Sequence, residues 1–229
     1  MAQLHKSDLD DNVAEFIKEK LPKAEIKTVF DVGANIGWVT ISFLNAYRDA
    51  RVWAFEPIPH VFSTLQENVA RVTDPSRLER AEFVNLALGA DNKQAAMTNL
   101  PGKGVTVNKI IQSANADSID VNVVRGDSYC ESKGISHIDY LKIDVEGHDL
   151  QALVGFGGML TSRAIDFVQV EAGIAQDNKD HIHLRSFEGF LNPLGYHILA
   201  IKNQASSNIP YLRWADVIFI RDDIAHKYA

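Results

Sequence analysis

The segment Asp31-Val32-Gly33-Ala34-Asn35-Ile36-Gly37 constrains this chain most, because it joins an apolar run to a helical one through a glycine turn. Thr28–Val32 reads as a buried strand stopped at Gly33. Ile36, Val39, Ile41, Phe43, Leu44 and Tyr47 then carry helical spacing. A second apolar run, Arg51–Phe55, is closed by Glu56-Pro57. Val61, Leu65, Val69 and Val72 continue as a helix, and Ala81–Leu88 reads as a third strand. Strand, helix, strand, helix, strand predicts a parallel sheet with right-handed crossovers. The alternation resumes at Ile138–Asp144, followed by a helix near Leu150–Leu160 and a strand at Ile165–Glu171. A helix near Leu184–Leu194, a strand at Tyr196–Ile201 and a last strand at Ala215–Ile220 complete it. Lys93–Asp127 interrupts the pattern, and its Asn, Gly and Ser punctuation predicts extra strands and loops over one sheet edge. Ahead of the sheet, Leu9, Val13, Phe16, Ile17 and Leu21 predict an amphipathic helix that Pro22 ends. The expected division is an N-terminal helical extension over residues 1–27 and one α/β domain over 28–229, a size that suits a single domain.

Charge and composition remove several classes. Lys and Arg total 23 against 30 Asp and Glu, a net charge of −7, which argues against a surface built to neutralise nucleic-acid phosphates. No stretch approaches the roughly 20 apolar residues of a membrane helix. Met1–Asp8 has no apolar core behind a basic cluster, so no secretory leader is read there and a cytoplasmic location is expected. The single cysteine, Cys130, cannot form an internal disulfide and has no arranged histidine partner, so it is read as a packing thiol.

In an open α/β sheet, ligands bind beyond the carboxyl ends of the strands. Gly33 and Gly37 there form Gly-x-x-x-Gly, whereas a dinucleotide fingerprint is G-x-G-x-x-G. Asn35 stands where the middle glycine would, which hinders a pyrophosphate. Asp31 would repel phosphate but can hold an ammonium group. Glu56, 23 residues after Gly33, sits where an acidic side chain accepts hydrogen bonds from a ribose diol. A nucleoside ligand without phosphates fits these demands, and S-adenosylmethionine meets them with its α-amino group, ribose diol and sulfonium.

Phe30–Gly37, Phe55-Glu56-Pro57 and Leu141-Lys142-Ile143-Asp144-Val145-Glu146-Gly147 resemble the FkbM-type S-adenosylmethionine-dependent methyltransferases. Asn85-Leu86-Ala87-Leu88-Gly89 and Val168-Gln169-Val170-Glu171 fit the same pattern, which runs from Thr28 to Ile220. The resemblance implies a class I methyltransferase fold, Rossmann-like α/β, with a seven-stranded, mostly parallel sheet, helices on both faces and an antiparallel last strand at Ala215–Ile220. It implies O-methylation of a hydroxyl on a sugar, polyketide or other small natural product. By matching position, Asp31, Gly33, Asn35 and Gly37 would line the methionine end of the donor. Glu56, with Pro57 beside it, would hold the ribose, and the backbone of Ala87 and Leu88 would meet the adenine. Trp38, directly after Gly37, could wall that pocket.

The run Asp144–His148 ends the fourth core strand, near the reactive methyl group in this fold. Methyl transfer to a hydroxyl is an in-line displacement with a good leaving group, so the protein must align the reactants and take the hydroxyl proton. Asp144 is the first candidate for proton acceptor or orienting group. Glu146 is a second, against the alternative that it answers the dipole of the following helix. His148, where small residues are common in the family, is a candidate for shaping substrate choice. Asp144 and Glu171, at adjacent strand ends, could also present oxygen ligands to Mg²⁺. His181 and His183 read as loop histidines near a substrate mouth.

Three rivals share parts of this layout. An NAD-dependent oxidoreductase lacks support without the middle glycine. A base N-methyltransferase would need an Asn/Asp-Pro-Pro-aromatic turn where this chain has Asp144-Val145-Glu146-Gly147. A non-catalytic S-adenosylmethionine-binding protein would have no need of the carboxylates at 144, 146 and 171. Acceptor contacts are expected from the N-terminal helix, Lys93–Asp127 and Ala172–His183. The apolar face of that helix could cover the substrate mouth or pair with a second copy.

Overall fold

The computed structural model describes residues 12–99, 109–111, 117–206 and 210–229. Its main sheet is built from β1 (Thr28–Val32), β2 (Arg51–Phe55), β3 (Ala81–Val84), β8 (Ile138–Ile143), β9 (Ile165–Gly173), β10 (Tyr196–Ala205) and β11 (Trp214–Arg221). The spatial order is β10-β11-β9-β8-β1-β2-β3. The neighbours β1–β2, β1–β8, β2–β3 and β8–β9 run parallel, while β11 runs antiparallel to both β9 and β10. The expected antiparallel last strand is therefore present, inserted one place in from the edge.

The chain winds from β1 outward through β2 and β3, then returns to the other side of β1 with β8. The strand order thus reverses between β1 and β8, where the loops beyond the two carboxyl ends part and leave a crevice. Successive residues of β1 serve opposite faces of the sheet. Val29 joins an apolar cluster with Phe43, Leu44, Val52 and Tyr140, whereas Phe30 joins Phe55, Leu141, Phe156 and Phe219. A strand buried on both faces tends to read as an apolar run, and in Thr28–Val32 the buried exception is Asp31, which is answered by Lys142 and Thr40.

The helices differ from the expectation at their ends. Helix α1 (Val13–Lys20) is capped by Asn12, whose side chain accepts from the Glu15 amide, and Leu9–Asp11 lie outside the described residues. Val13, Ala14 and Ile17 pack into the same cluster as the sheet face, so this apolar side is spent on the core rather than on a substrate mouth. Helix α2 (Trp38–Ala46) starts two residues later than the spacing suggested, because Gly37 at φ +97° turns the chain into it. Helix α3 (Pro59–Val72) and the short α4 (Pro75–Leu78) lead to β3.

Three expectations need correction. Ala81–Leu88 is not one strand: β3 ends at Val84, and β4 (Ala87–Gly89) belongs to a second sheet. Asn85 makes the break, its side-chain amide donating to the carbonyls of Glu56 (2.8 Å) and Pro57 (3.0 Å). The second sheet, β4-β7-β5-β6, adds β5 (Lys93–Thr98), β6 (Ile110–Ile111) and β7 (Ser118–Arg125). It supplies the extra strands anticipated for Lys93–Asp127, of which residues 100–108 and 112–116 lie outside the described set. After it comes a helix the periodicity did not suggest, α5 (Gly126–Lys133). The helix expected at Leu150–Leu160 is two, α6 (Asp149–Val154) and α7 (Gly157–Thr161). Their junction lies under β4, where a side chain on Gly155 would come within 2.2 Å of the Gly89 carbonyl. Helix α8 (Leu184–Leu191) passes into a 3₁₀ turn at Asn192–Leu194, and α9 (Asp222–Tyr228) closes the chain. No helix among the described residues is long and apolar enough to cross a membrane.

Candidate active site

The loop leaving β1 is shaped by its glycine. Gly33 has φ +75°, and a Cβ there would lie 1.8 Å from the Asp144 carbonyl oxygen, so the β1 and β8 loops meet backbone to backbone. The amides of Gly33 and Ala34 both donate to the Phe55 carbonyl, which carries the loop across β2. Asn35 follows at φ +50°, a conformation asparagine tolerates better than most residues.

Glu56, at the end of β2, is the polar anchor of the cleft. It is 6 % exposed. Its carboxylate accepts from the amides of Asn35 (3.1 Å) and Ile58 (2.9 Å). Burial outweighs these hydrogen bonds and raises its pKa to about 7.

Lys142 lies on β8 between fully buried Leu141 and Ile143. Its ammonium donates to the Gly33 carbonyl (2.8 Å) and lies 3.3 Å from Asp31 and 3.5 Å from Asp144. Burial alone would strip its proton, but Asp144 and Asp31 hold it charged, above the usual lysine range. Asp31 is wholly buried, and its other oxygen accepts from the amide and hydroxyl of Thr40. The anticipated direct contact of Asp31 with an ammonium of the ligand is therefore not available: its carboxylate faces Lys142 and α2. Gly37 too lies off the cleft, packed against Leu65 and Val69 of α3.

Beyond β8 the chain makes a strained turn, Glu146 at φ +54° and Gly147 at φ +83°. Asp149, 2 % exposed, ties the turn by accepting from the amides of Val145 and Gly147, both at 3.1 Å. Burial, then repulsion by Asp144 and Glu171, raises the pKa of Glu146 to about 7. Asp149 reaches about 7 through burial and Asp144. Burial lowers that of His148, favouring the neutral ring at physiological pH. Glu171 pairs with His181 at 3.1 Å, and the His181 ring stacks on Trp214.

Part of this set borders one cleft at the switch point, whereas Asp31, Lys142, Asp149, Glu171 and His181 are not among its lining residues. Glu56, Pro57, Ala87 and Leu88 line it together with Gly33 and Asn35 and with Asp144, Glu146 and His148. Ile58, Leu86, Met97 and Ile110 complete its apolar wall, the last two from the second sheet, within the Lys93–Asp127 region from which acceptor contacts were expected. Among the described residues no lysine or arginine lines it. Of the two carboxylates considered as metal ligands, Asp144 is paired with Lys142 and Glu171 with His181. A His/Asp trio close enough to share an ion, His137, Asp139 and Asp166, lies at the amino-terminal ends of β8 and β9, away from the carboxyl-end cleft and beside Arg221.

Burial of these acids makes the empty protein pH-sensitive. Glu56, Glu146, Asp149 and Asp216 all have folded pKa values, about 7, 7, 7 and 6, above their ordinary ones. Their contribution to stability is fully present below about pH 4 and is lost as pH rises through 6 to 7. His181, raised by its bond to Glu171, and His137, raised by Asp166, act in the same direction, and the lowered pKa of His148 opposes them with a single group. Thermal unfolding of the ligand-free protein should fall from pH 5 to pH 8. A melting temperature that rises over that interval would contradict the site electrostatics.

A seven-stranded sheet with one inserted antiparallel strand, a glycine loop after β1 and an acid at the end of β2 define a class I methyltransferase. Residues 31–198 match the methyltransferase FkbM domain family, and the chain belongs to that family. It is 30 % identical over 173 residues to the hexuronic acid methyltransferase AglP of Haloferax volcanii, spanning 75 % of this chain and 67 % of that one. It is 30 % identical over 151 residues to the 31-O-demethyl-FK506 methyltransferase FkbM of Streptomyces tacrolimicus, spanning 56 % of this chain and 58 % of that protein. This chain thus spans from under three fifths to about two thirds of these relatives. The crystal structure of a methyltransferase FkbM from Methylobacillus flagellatus superposes with a TM-score of 0.58 at 18 % identity, over 86 % of this chain and 43 % of that one. Magnesium protoporphyrin IX methyltransferase from Synechocystis, solved with bound S-adenosylmethionine, superposes at 0.52 and 12 % identity, over 96 % of this chain and 86 % of that one.

Proposed function

We propose that this protein transfers the methyl group of S-adenosylmethionine to a hydroxyl of a small molecule, with Glu146 taking the hydroxyl proton. The observation that carries the reading is Glu56: a buried carboxylate, backed by two amides, lining a cleft free of lysine and arginine among the described residues. Such a group suits a ribose diol and not a pyrophosphate. The solved relative with bound donor and the names of the curated relatives support the same ligand and reaction.

Bound there, the donor supplies an electrophilic methyl on a sulfonium. Glu56 accepts from the ribose hydroxyls, and Pro57, Ile58, Leu86, Ala87 and Leu88 enclose the adenine with apolar surface and backbone. Gly33 and Asn35 lie along the amino-acid arm, where a side chain at 33 would have no room. Glu146, with a pKa of about 7, holds the proton half the time at neutral pH, as a general base should. Asp144, already paired with Lys142, orients the acceptor rather than accepting its proton. His148, neutral and at the rim, shapes the mouth. Nothing in the site supports a magnesium requirement.

Incubating the protein with labelled donor and a panel of neutral sugars, hexuronates and polyketides tests this reading. Transfer to a hydroxyl is expected, falling about 100-fold or more in Glu146→Gln while S-adenosylhomocysteine affinity stays within about threefold. Full turnover in Glu146→Gln would move the base elsewhere. Donor binding with no transfer to any member would favour a non-catalytic binding protein.

A further inference from the structure

The least expected charge in this fold is the ammonium of Lys142. The side chain belongs to a central strand and is 5 % exposed. Burying an ammonium is costly, and an apolar residue would pack there without that cost. What the charge gains is visible in its partners, which come from different parts of the site. The Gly33 carbonyl belongs to the β1 loop, Asp31 to the end of β1 and through Thr40 to α2, and Asp144 to the acceptor side of the cleft. The nucleoside end is fastened separately: Glu56 is held by the Ile58 and Asn35 amides, and its carbonyl by Asn85.

We propose that Lys142 is a positioning residue that locks the β1 loop to the acceptor-side turn, so that binding of the donor's amino-acid arm, and not of its nucleoside, depends on it. The inference rests on the donor-site reading above. Without the ammonium, the Gly33 carbonyl loses the hydrogen bond from Lys142 and the β1 loop loses its charged tie to the Asp144 turn, while its amide bonds to β2 remain. The groups around Glu56 keep their own hydrogen bonds.

Calorimetric titration with two ligands separates this role from a general structural one. S-adenosylhomocysteine carries the arm, whereas 5′-methylthioadenosine keeps the nucleoside and thioether without it. Lys142→Met is the direct variant, but it strands the buried Asp31 carboxylate. Lys142→Met combined with Asp31→Asn removes both charges and preserves volume. The double variant should bind S-adenosylhomocysteine about 10- to 100-fold more weakly than wild type, the loss of a charge-assisted hydrogen bond. Its affinity for methylthioadenosine should stay within about threefold, an unchanged nucleoside grip. Equal losses for both ligands, no loss for either, or failure of the double variant to fold would each overturn the proposal. If wild-type protein binds neither ligand, the donor site itself is wrongly placed.

Discussion

Glu56→Ala should abolish donor binding, lowering S-adenosylhomocysteine affinity by about 100-fold or more, equivalent to about 3 kcal/mol. Two hydroxyls donating to one buried carboxylate account for a loss of that size. The same group sets a pH dependence. With its pKa raised to about 7, Glu56 is protonated in half the ligand-free molecules at neutral pH, and the diol prefers the ionised form. Affinity should therefore be level above pH 8 and fall on acidification, by up to about tenfold per unit below pH 7 for one proton. Glu146 titrates over the same range, so the control is Glu56→Gln. That variant should bind weakly, with the slope largely gone. Isothermal titration from pH 5.5 to 8.5 measures both. An alanine variant that retains affinity within about threefold would mean that the ribose lies elsewhere.

What could be read from the sequence was what periodicity and fixed spacing encode. The β1–glycine–α2–β2–acid unit is local, each step constrained by its own residues, and its strands and the Glu56 position emerge without tertiary information. The split of Ala81–Leu88 is different in kind. Its apolar residues suit one strand, and only the contact of Asn85 with two carbonyls of the neighbouring loop diverts the chain. Helix α5 has no side-chain cap and a sequence, Gly-Asp-Ser-Tyr-Cys, with little helical preference, so its formation is decided by packing. The proposed exchange of roles between Asp144 and Glu146 was partly legible. Asp144 follows the last residue of β8 and stands two residues after Lys142, so a lysine there is placed to claim the nearer carboxylate. Asp149, four residues after Val145, carries a similar hint of a tied turn. The burial that sets the pKa of Glu146 has no counterpart in the motif, which says nothing of the loop whose Asp180 carbonyl approaches Gly147 and whose His181 faces Glu146.

Gly33→Ala tests whether the meeting of two backbones organises this site. An alanine at φ +75° costs roughly 1–2 kcal/mol in conformation alone. Its methyl would also sit 1.8 Å from the Asp144 carbonyl oxygen, and forcing a packed region apart adds roughly 1–3 kcal/mol. A total of about 3 kcal/mol should lower the melting temperature by roughly 6–12 °C in a domain of this size. The clash is with main chain, so relief must come from separating β1 from β8, and that separation pulls the Gly33 carbonyl off Lys142 and opens the cleft. Donor affinity should fall with stability. Gly37→Ala is the informative contrast. Its Cβ would press on the side-chain tips of Leu65 and Val69, at 2.8 and 2.9 Å, which can yield. It should lower the melting temperature less and leave S-adenosylhomocysteine affinity within about threefold of wild type, since conformational cost and packing are all it disturbs. Equal effects on affinity from the two substitutions would show that the loop as a whole, and not the contact at Gly33, shapes the donor site.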